Sequence, residues 1–215
     1  MKKAIVMAGV LFALTMTAGC GSQNQDHAAT AESDVTENEE EALQDNENTE
    51  KSSKVLVAYY SATGNTKAAA ETIADAAGGE LFELQPAEAY TTEDLDYNDP
   101  ESRVCKEHED PDLQDVKLEE VTPESFPNAD VVFLGYPIWW GEAAWPVNEF
   151  VKENDFTGKT VIPFCTSASS SLGDSGENLA EMAGTGEWQE GKRFSSGAAE
   201  EEIRNWVESL DLSAK

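Results

Sequence analysis

Val55-Leu56-Val57-Ala58-Tyr59-Tyr60-Ser61-Ala62-Thr63-Gly64-Asn65-Thr66 is the stretch on which the fold turns. Its first half is a β-rich apolar run without polar alternation, the pattern of a strand buried on both faces of a parallel sheet. Its second half gathers three hydroxyls (Ser61, Thr63, Thr66), an amide side chain and a glycine at the start of a helical stretch. In that stretch Ala69, Ala70, Ile73, Ala74 and Ala77 share one face, and Gly78-Gly79 stops the helix. Backbone N–H groups at a helix start face outward, and the helix dipole favours an anion there. Hydroxyls add donors without adding charge. Ser61, Ala62, Thr63, Gly64, Asn65 and Thr66 are therefore a candidate site for a phosphate monoester. The loop is neither a Walker loop nor a dinucleotide fingerprint, because it lacks both GxxxxGKS/T and GxGxxG. Taken alone, the same residues also describe an ordinary capped helix after a tight turn.

Working outward, Leu81-Phe82-Glu83-Leu84 is a second strand candidate. Residues 86–127 are then acidic, proline-bearing and without clear periodicity, with one expected helix over Ser102–Glu109. Val131-Val132-Phe133-Leu134-Gly135-Tyr136 reads as another buried strand. Pro146 suits a helix's first turn, with Val147, Phe150 and Val151 on one face. Thr160-Val161-Ile162-Pro163-Phe164-Cys165 is a fourth strand, which Pro163 pushes toward an edge or a locally irregular position. A weak helix over Glu177–Met182 and a short strand at Arg193-Phe194 follow. The last helix carries Ile203, Trp206, Val207 and Leu210 at i, i+3, i+4, i+7. Strands alternating with helices predict a parallel sheet covered on both faces. In such sheets ligands bind beyond the carboxyl ends of the strands, which directs attention to the loops after Tyr60, Tyr136 and Cys165.

The second of these loops, Gly135-Tyr136-Pro137-Ile138-Trp139-Trp140-Gly141-Glu142, sets two adjacent tryptophans after a buried strand. Adjacent residues rarely both point into one core, so at least one indole is expected at a surface or cleft, where it suits a flat conjugated ligand. Core packing of both over helix ends is the plainer alternative. The third loop, Cys165-Thr166-Ser167-Ala168-Ser169-Ser170-Ser171-Leu172-Gly173-Asp174-Ser175-Gly176, is small and polar, and would let backbone approach a ligand closely.

Together the loops resemble those of the flavodoxin family. Ser61–Thr66 is similar to its phosphate loop at every position, and Tyr136-Pro137-Ile138-Trp139-Trp140 with Phe164-Cys165-Thr166-Ser167 resembles its YPIWW and FxTS motifs. The resemblance covers residues 54–210 and is poorest over 86–127. It implies a three-layer α/β/α fold with a five-stranded parallel sheet ordered 2-1-3-4-5 and a noncovalent FMN. The phosphate would lie on the Ser61–Thr66 loop. The isoalloxazine would lie against Pro137, Ile138, Trp139, Trp140 and Gly141, with Thr166, Ser167 and Gly173 along its edge.

The chain's beginning reads differently. Lys2 and Lys3 precede an apolar run from Ala4 to Leu14, too short to span a bilayer, and Thr17, Ala18 and Gly19 lead to Cys20. This resembles a bacterial lipoprotein leader over 1–19 with lipid on Cys20, although Thr17 stands where such leaders usually carry Leu. An ordinary secretory signal is the alternative. Residues 20–52 hold ten acidic residues from Asp26 to Glu50 and no Lys or Arg before Lys51, the composition of a disordered acidic linker. Residues 53–215 are then one domain, expected on the outer face of the cell membrane and attached only through the N-terminal lipid.

The chain carries a net charge of −29, and without Lys2, Lys3 and those ten acids the remainder has 12 basic against 33 acidic residues. Such a surface excludes nucleic acid as a partner and repels anionic lipid. It also disfavours an anionic reduced flavin. Cys105 and Cys165 form no CxxC and no Cys/His cluster, so no metal site is expected. Asp94–Asn98 opens like a calcium loop but has Asp99 in place of the required glycine. His108 among Glu107, Glu109 and Asp110 reads as a solvated histidine. Ser196-Gly197-Ala198-Ala199 reads as a helix start.

The function expected on this basis is electron transfer through FMN, with no catalytic side chain, to a redox partner protein or a small quinone or flavin reductant. The alternative is an NAD(P)H-dependent flavin or quinone oxidoreductase on the same fold, against which stands the lack of a basic residue near the three loops that would partner a nicotinamide phosphate. A flavin-free binding module is a third reading.

Overall fold

The computed structural model describes residues 54–212. The leader, Cys20 and the linker all lie outside the described residues. Strands β1 (Val55–Tyr59), β2 (Glu80–Glu83), β3 (Val131–Trp139), β5 (Thr160–Ser167), β6 (Glu187–Trp188) and β7 (Lys192–Ser195) form a parallel sheet; β4 (Glu142–Ala143) folds back antiparallel on β3. The order across the sheet is β2-β1-β3-β5, followed by β6 and β7, which both pair with β5. Counting β6 and β7 as one interrupted edge strand and setting the β4 hairpin aside gives the expected order 2-1-3-4-5.

The apolar runs fill two cores because successive side chains leave a strand on opposite faces. Leu56, Ala58 and Tyr60 with Val132, Leu134 and Tyr136 join one core with Val147, Phe150 and Leu179, from α3 (Val147–Glu153) and α4 (Ser175–Ala183). Val55, Val57 and Tyr59 with Val131 and Phe133 join the other with Ile73, Ile203 and Val207, from α1 (Asn65–Ala77) and α5 (Glu200–Glu208). At Gly135 the Phe164 ring of the adjacent strand lies over the glycine, where a Cβ would stand 2.2 Å from its Cζ.

Two expectations need correction. The first concerns Pro163, whose strand β5 is central rather than at an edge. Gln189 N donates to Val161 O at 2.8 Å, so Val161, and two residues on Pro163, face the β6–β7 side. The donor that proline lacks therefore falls where β6 ends and β7 has not begun. The irregularity is carried by the neighbour, not by β5. Gly191 closes that gap so tightly that a Cβ there would stand 2.7 Å from Pro163 O.

The second is the end of β3. It runs on to Trp139, so Pro137, Ile138 and Trp139 are strand residues, paired through Ile138 with Ala143 and through Trp139 with Glu142. Residues 86–127, without visible periodicity, fold around α2 (Arg103–Glu109), two single 3₁₀ turns and one antiparallel bridge from Pro86 to Leu118. Val104, Val116, Leu118 and Phe126 are buried there.

Candidate functional site

The first loop is shaped by Ser61. Its Oγ accepts from Gly64 N at 3.1 Å and Lys67 N at 3.2 Å, while Asn65 Nδ2 donates to Thr63 Oγ1 at 3.0 Å. Gly64 stands at φ 87°, a conformation costly for a residue with a side chain, and the space where its Cβ would sit is open. The helix ladder starts with Ala68 N on Gly64 O, so the amides of Asn65 and Thr66 have no partner within the helix. Lys67 does not intrude, because its Nζ pairs with Glu83 at 3.0 Å.

The other two loops are drawn to the first at named contacts. Thr66 Oγ1 and Thr166 Oγ1 are 2.8 Å apart and buried, which ties the start of α1 to the end of β5 across β3. The rings of Tyr60 and Trp139 meet edge to face at 5.7 Å, and Trp139 also meets Tyr90 at 5.4 Å and Trp145 at 5.7 Å. Gly173, at φ 56°, faces the Gly141 carbonyl, which would lie 3.8 Å from a Cβ added there. The residues expected in the three loops thus stand together at the carboxyl end of β1, β3 and β5.

Trp140 and Gly141 form the two-residue turn of the β3–β4 hairpin, both at positive φ (49° and 89°) as a type I′ turn requires. Asn or Gly takes such a position readily and an indole does not, so Trp140 is strained. It is also 44% exposed. One of the two indoles is therefore at the surface, and Trp139 is half-buried. His108 is not simply solvated: its ring stacks on Trp140 at 4.4 Å and 12°.

Thr166 and Ser167 are buried, and their hydroxyls are engaged within the protein, Thr166 by Thr66 and Ser167 by the Ser170 carbonyl and by Arg193. A basic residue, Arg193, does lie beside the third loop, with its donors spent on Ser167 and Ala168. Its register opposite Cys165 sets the guanidinium beside the third loop, a placement that depends on strand pairing invisible in sequence. Tyr90 was equally hidden in the aperiodic segment. Its hydroxyl donates to the buried Glu107 Oε2 at 2.7 Å, and Arg103 stacks 3.9 Å over its ring while donating to Glu107 Oε1 at 2.7 Å. Burial pushes the Tyr60, Tyr90 and Tyr136 hydroxyls well above the usual phenol range, and pushes the Cys165 thiol up to about 12. All four are neutral packing groups at neutral pH.

A loop of hydroxyls and unspent amides at a helix start, an aromatic cluster and a glycine-bearing loop on one end of a doubly covered parallel sheet define a flavodoxin-like fold. Residues 54–210 match the family described as Flavodoxin, and the chain belongs to that family. Among solved structures, a protein assigned as a flavoprotein from Bacteroides eggerthii is 42% identical, with 73% of this chain and 96% of that one covered and a TM-score of 0.66. A second, assigned likewise, from Bacteroides uniformis is 39% identical over 74% of this chain and all of that one, with a TM-score of 0.68. Comparison with functionally curated proteins finds no match.

The donor set fits a flavin mononucleotide. Hydroxyls and amides without a free cation suit a phosphate monoester at a helix start, and Trp139, packed on Tyr60, brings aromatic surface to the same end of the sheet.

Proposed function

We propose that this protein binds FMN and transfers electrons, held at the outer face of the cell membrane by lipid on Cys20. The observation that carries the reading is the convergence of the three loops, fastened by the Thr66–Thr166 hydroxyl pair and the Tyr60–Trp139 ring contact. FMN, when bound, supplies one- and two-electron chemistry. The chain's own part is to hold the phosphate on the Asn65 and Thr66 amides, to set the ring against the Trp139–Trp140 hairpin, and to exclude water with Tyr60 and Tyr90. No side chain is assigned a catalytic proton transfer.

An NAD(P)H-dependent reductase on the same scaffold remains the competing activity. The carrier is favoured because the cations near the loops are committed: Arg103 to Glu107 and the Glu88 carbonyl, Arg193 to the third loop, and Lys67 to Glu83. The acidic surface favours a basic protein or a neutral quinone as redox partner.

Purified protein titrated with FMN should turn yellow and lose tryptophan emission, and it should bind riboflavin, which lacks the phosphate, more weakly. A colourless protein indifferent to FMN overturns the reading. Rapid bleaching of the loaded protein by NADH or NADPH in stopped flow would replace the carrier by the reductase. Leader cleavage that globomycin blocks, together with a diacylglycerol thioether on Cys20 seen by mass spectrometry and absent in Cys20→Ala, tests the anchor; a mature protein that begins elsewhere or carries no lipid rejects it.

A further inference from the structure

The third loop is held from outside by a single guanidinium. Arg193 Nε donates to Ser167 Oγ at 3.0 Å, and Nη2 donates to Ser167 O at 2.9 Å and Ala168 O at 3.1 Å. With two carbonyls turned to Arg193, the loop's direction is fixed where it passes the site. Arg193 also forms no ion pair among the described residues, whereas Lys67, Arg103, Lys117 and Arg204 each meet a carboxylate. Carbonyl and hydroxyl acceptors satisfy a guanidinium's donors without cancelling its charge. The charge is partly buried and so weakly screened. Its reach is visible at Cys165, where it offsets part of the effect of burial on the thiol. In a domain with 33 acidic and 12 basic residues, this is a fixed positive charge next to the proposed ring edge.

We propose that Arg193 is the positioning residue of the third loop and the fixed cation that favours the reduced, anionic form of the flavin over the oxidised form. The inference rests on the FMN reading. It partly reverses the expectation from net charge, because a unit charge a few ångströms away in partly screened protein outweighs many distant, solvated carboxylates.

The test compares wild type, Arg193→Lys and Arg193→Gln by FMN titration in the oxidised and fully reduced states, with hydrogen exchange of residues 166–171 in the FMN-free proteins. Lysine keeps the charge and loses the fork; glutamine loses the charge. Both variants should exchange faster in the loop and bind oxidised FMN several-fold more weakly. The ratio of reduced to oxidised affinity should fall about tenfold or more in Arg193→Gln, as expected for loss of a unit charge at short range. In Arg193→Lys it should stay within about twofold of wild type, since the charge is retained.

A ratio in Arg193→Gln equal to wild type overturns the inference and leaves FMN binding standing. A tenfold loss in Arg193→Lys overturns it too, and needs no folded glutamine variant. Wild type that binds neither form of FMN overturns the FMN reading together with this one.

Discussion

The hydroxyl pair between Thr66 and Thr166 is the smallest unit on which the site depends. Both oxygens are buried and each is the other's partner. Removing one leaves the other unpaired in a dry setting, which costs more than removing both. Thr66→Val should therefore lower stability by about 1–2 kcal/mol, and the double variant Thr66→Val/Thr166→Val should recover most of that in urea unfolding. The double variant should still bind FMN more weakly than wild type, since the hydroxyl at the helix start is gone. A double variant less stable than the sum of the two singles would show that the pair does something other than satisfy itself. Gly135 is a second such residue. A Cβ there meets the Phe164 ring at 2.2–2.7 Å from three of its carbons, and neither strand can yield in a central position. Gly135→Ala should cost at least about 2 kcal/mol by the same measurement, as overpacking of a close-packed core does.

Among the elements, α2 depends on a charge rather than on an apolar face. Glu107 is 4% exposed and is held by Arg103 and by Tyr90, whose own ring packs on Trp139. Arg103→Ala would leave a buried carboxylate with one neutral donor, at a cost of roughly 3 kcal/mol. Hydrogen exchange should show the loss concentrated between residues 86 and 116 and not in the sheet; uniform loss across the domain would contradict it. That dependence explains what the sequence could and could not show. β1, β3 and β5 were legible because burial on both faces leaves an unbroken apolar run, and α1 and α5 because their buried residues recur at helical spacing. The 86–127 segment is tied by scattered buried residues (Val104, Val116, Leu118, Phe126) and by the Arg103–Glu107–Tyr90 network, neither of which leaves a period to read. In the site, Ser61–Thr66 was visible as a contiguous motif. Arg193 and Tyr90 were not, because each reaches the loops from an element whose register is decided by pairing far along the chain. Pro163 was read correctly as a disturbance of the sheet, but its strand is central and the interruption falls in the neighbouring β6–β7.

At the scale of the whole molecule, charge and burial set the conditions for stability. With a net charge of −29, self-repulsion opposes the compact state, and salt screens it. The thermal midpoint should rise between low and moderate salt, even though exposed pairs such as Lys67–Glu83 and Lys117–Asp115 weaken, because such pairs contribute little. A midpoint that falls with salt would show that the pairs outweigh the repulsion. Alkali acts through the buried groups. Cys165, Tyr60, Tyr90 and Tyr136 all have folded values raised above their unfolded ones, chiefly by burial. The folded state thus binds the proton more tightly, and the stability this provides is complete below the unfolded values and lost as pH rises. Thermal melts should be level to about pH 8.5 and decline increasingly above about pH 9–10, where thiols and phenols begin to ionise in the unfolded chain. The interrupted edge of the sheet has one more effect. An unbroken, exposed outer strand is a template on which other chains can pair and aggregate. Here the outer position beside β5 is divided into a two-residue and a four-residue piece at the point where Pro163 withholds its donor, and the opposite edge, β2, is only four residues long and begins and ends with glutamate. Neither margin offers a second chain a continuous ladder, so copies can crowd together and stay separate.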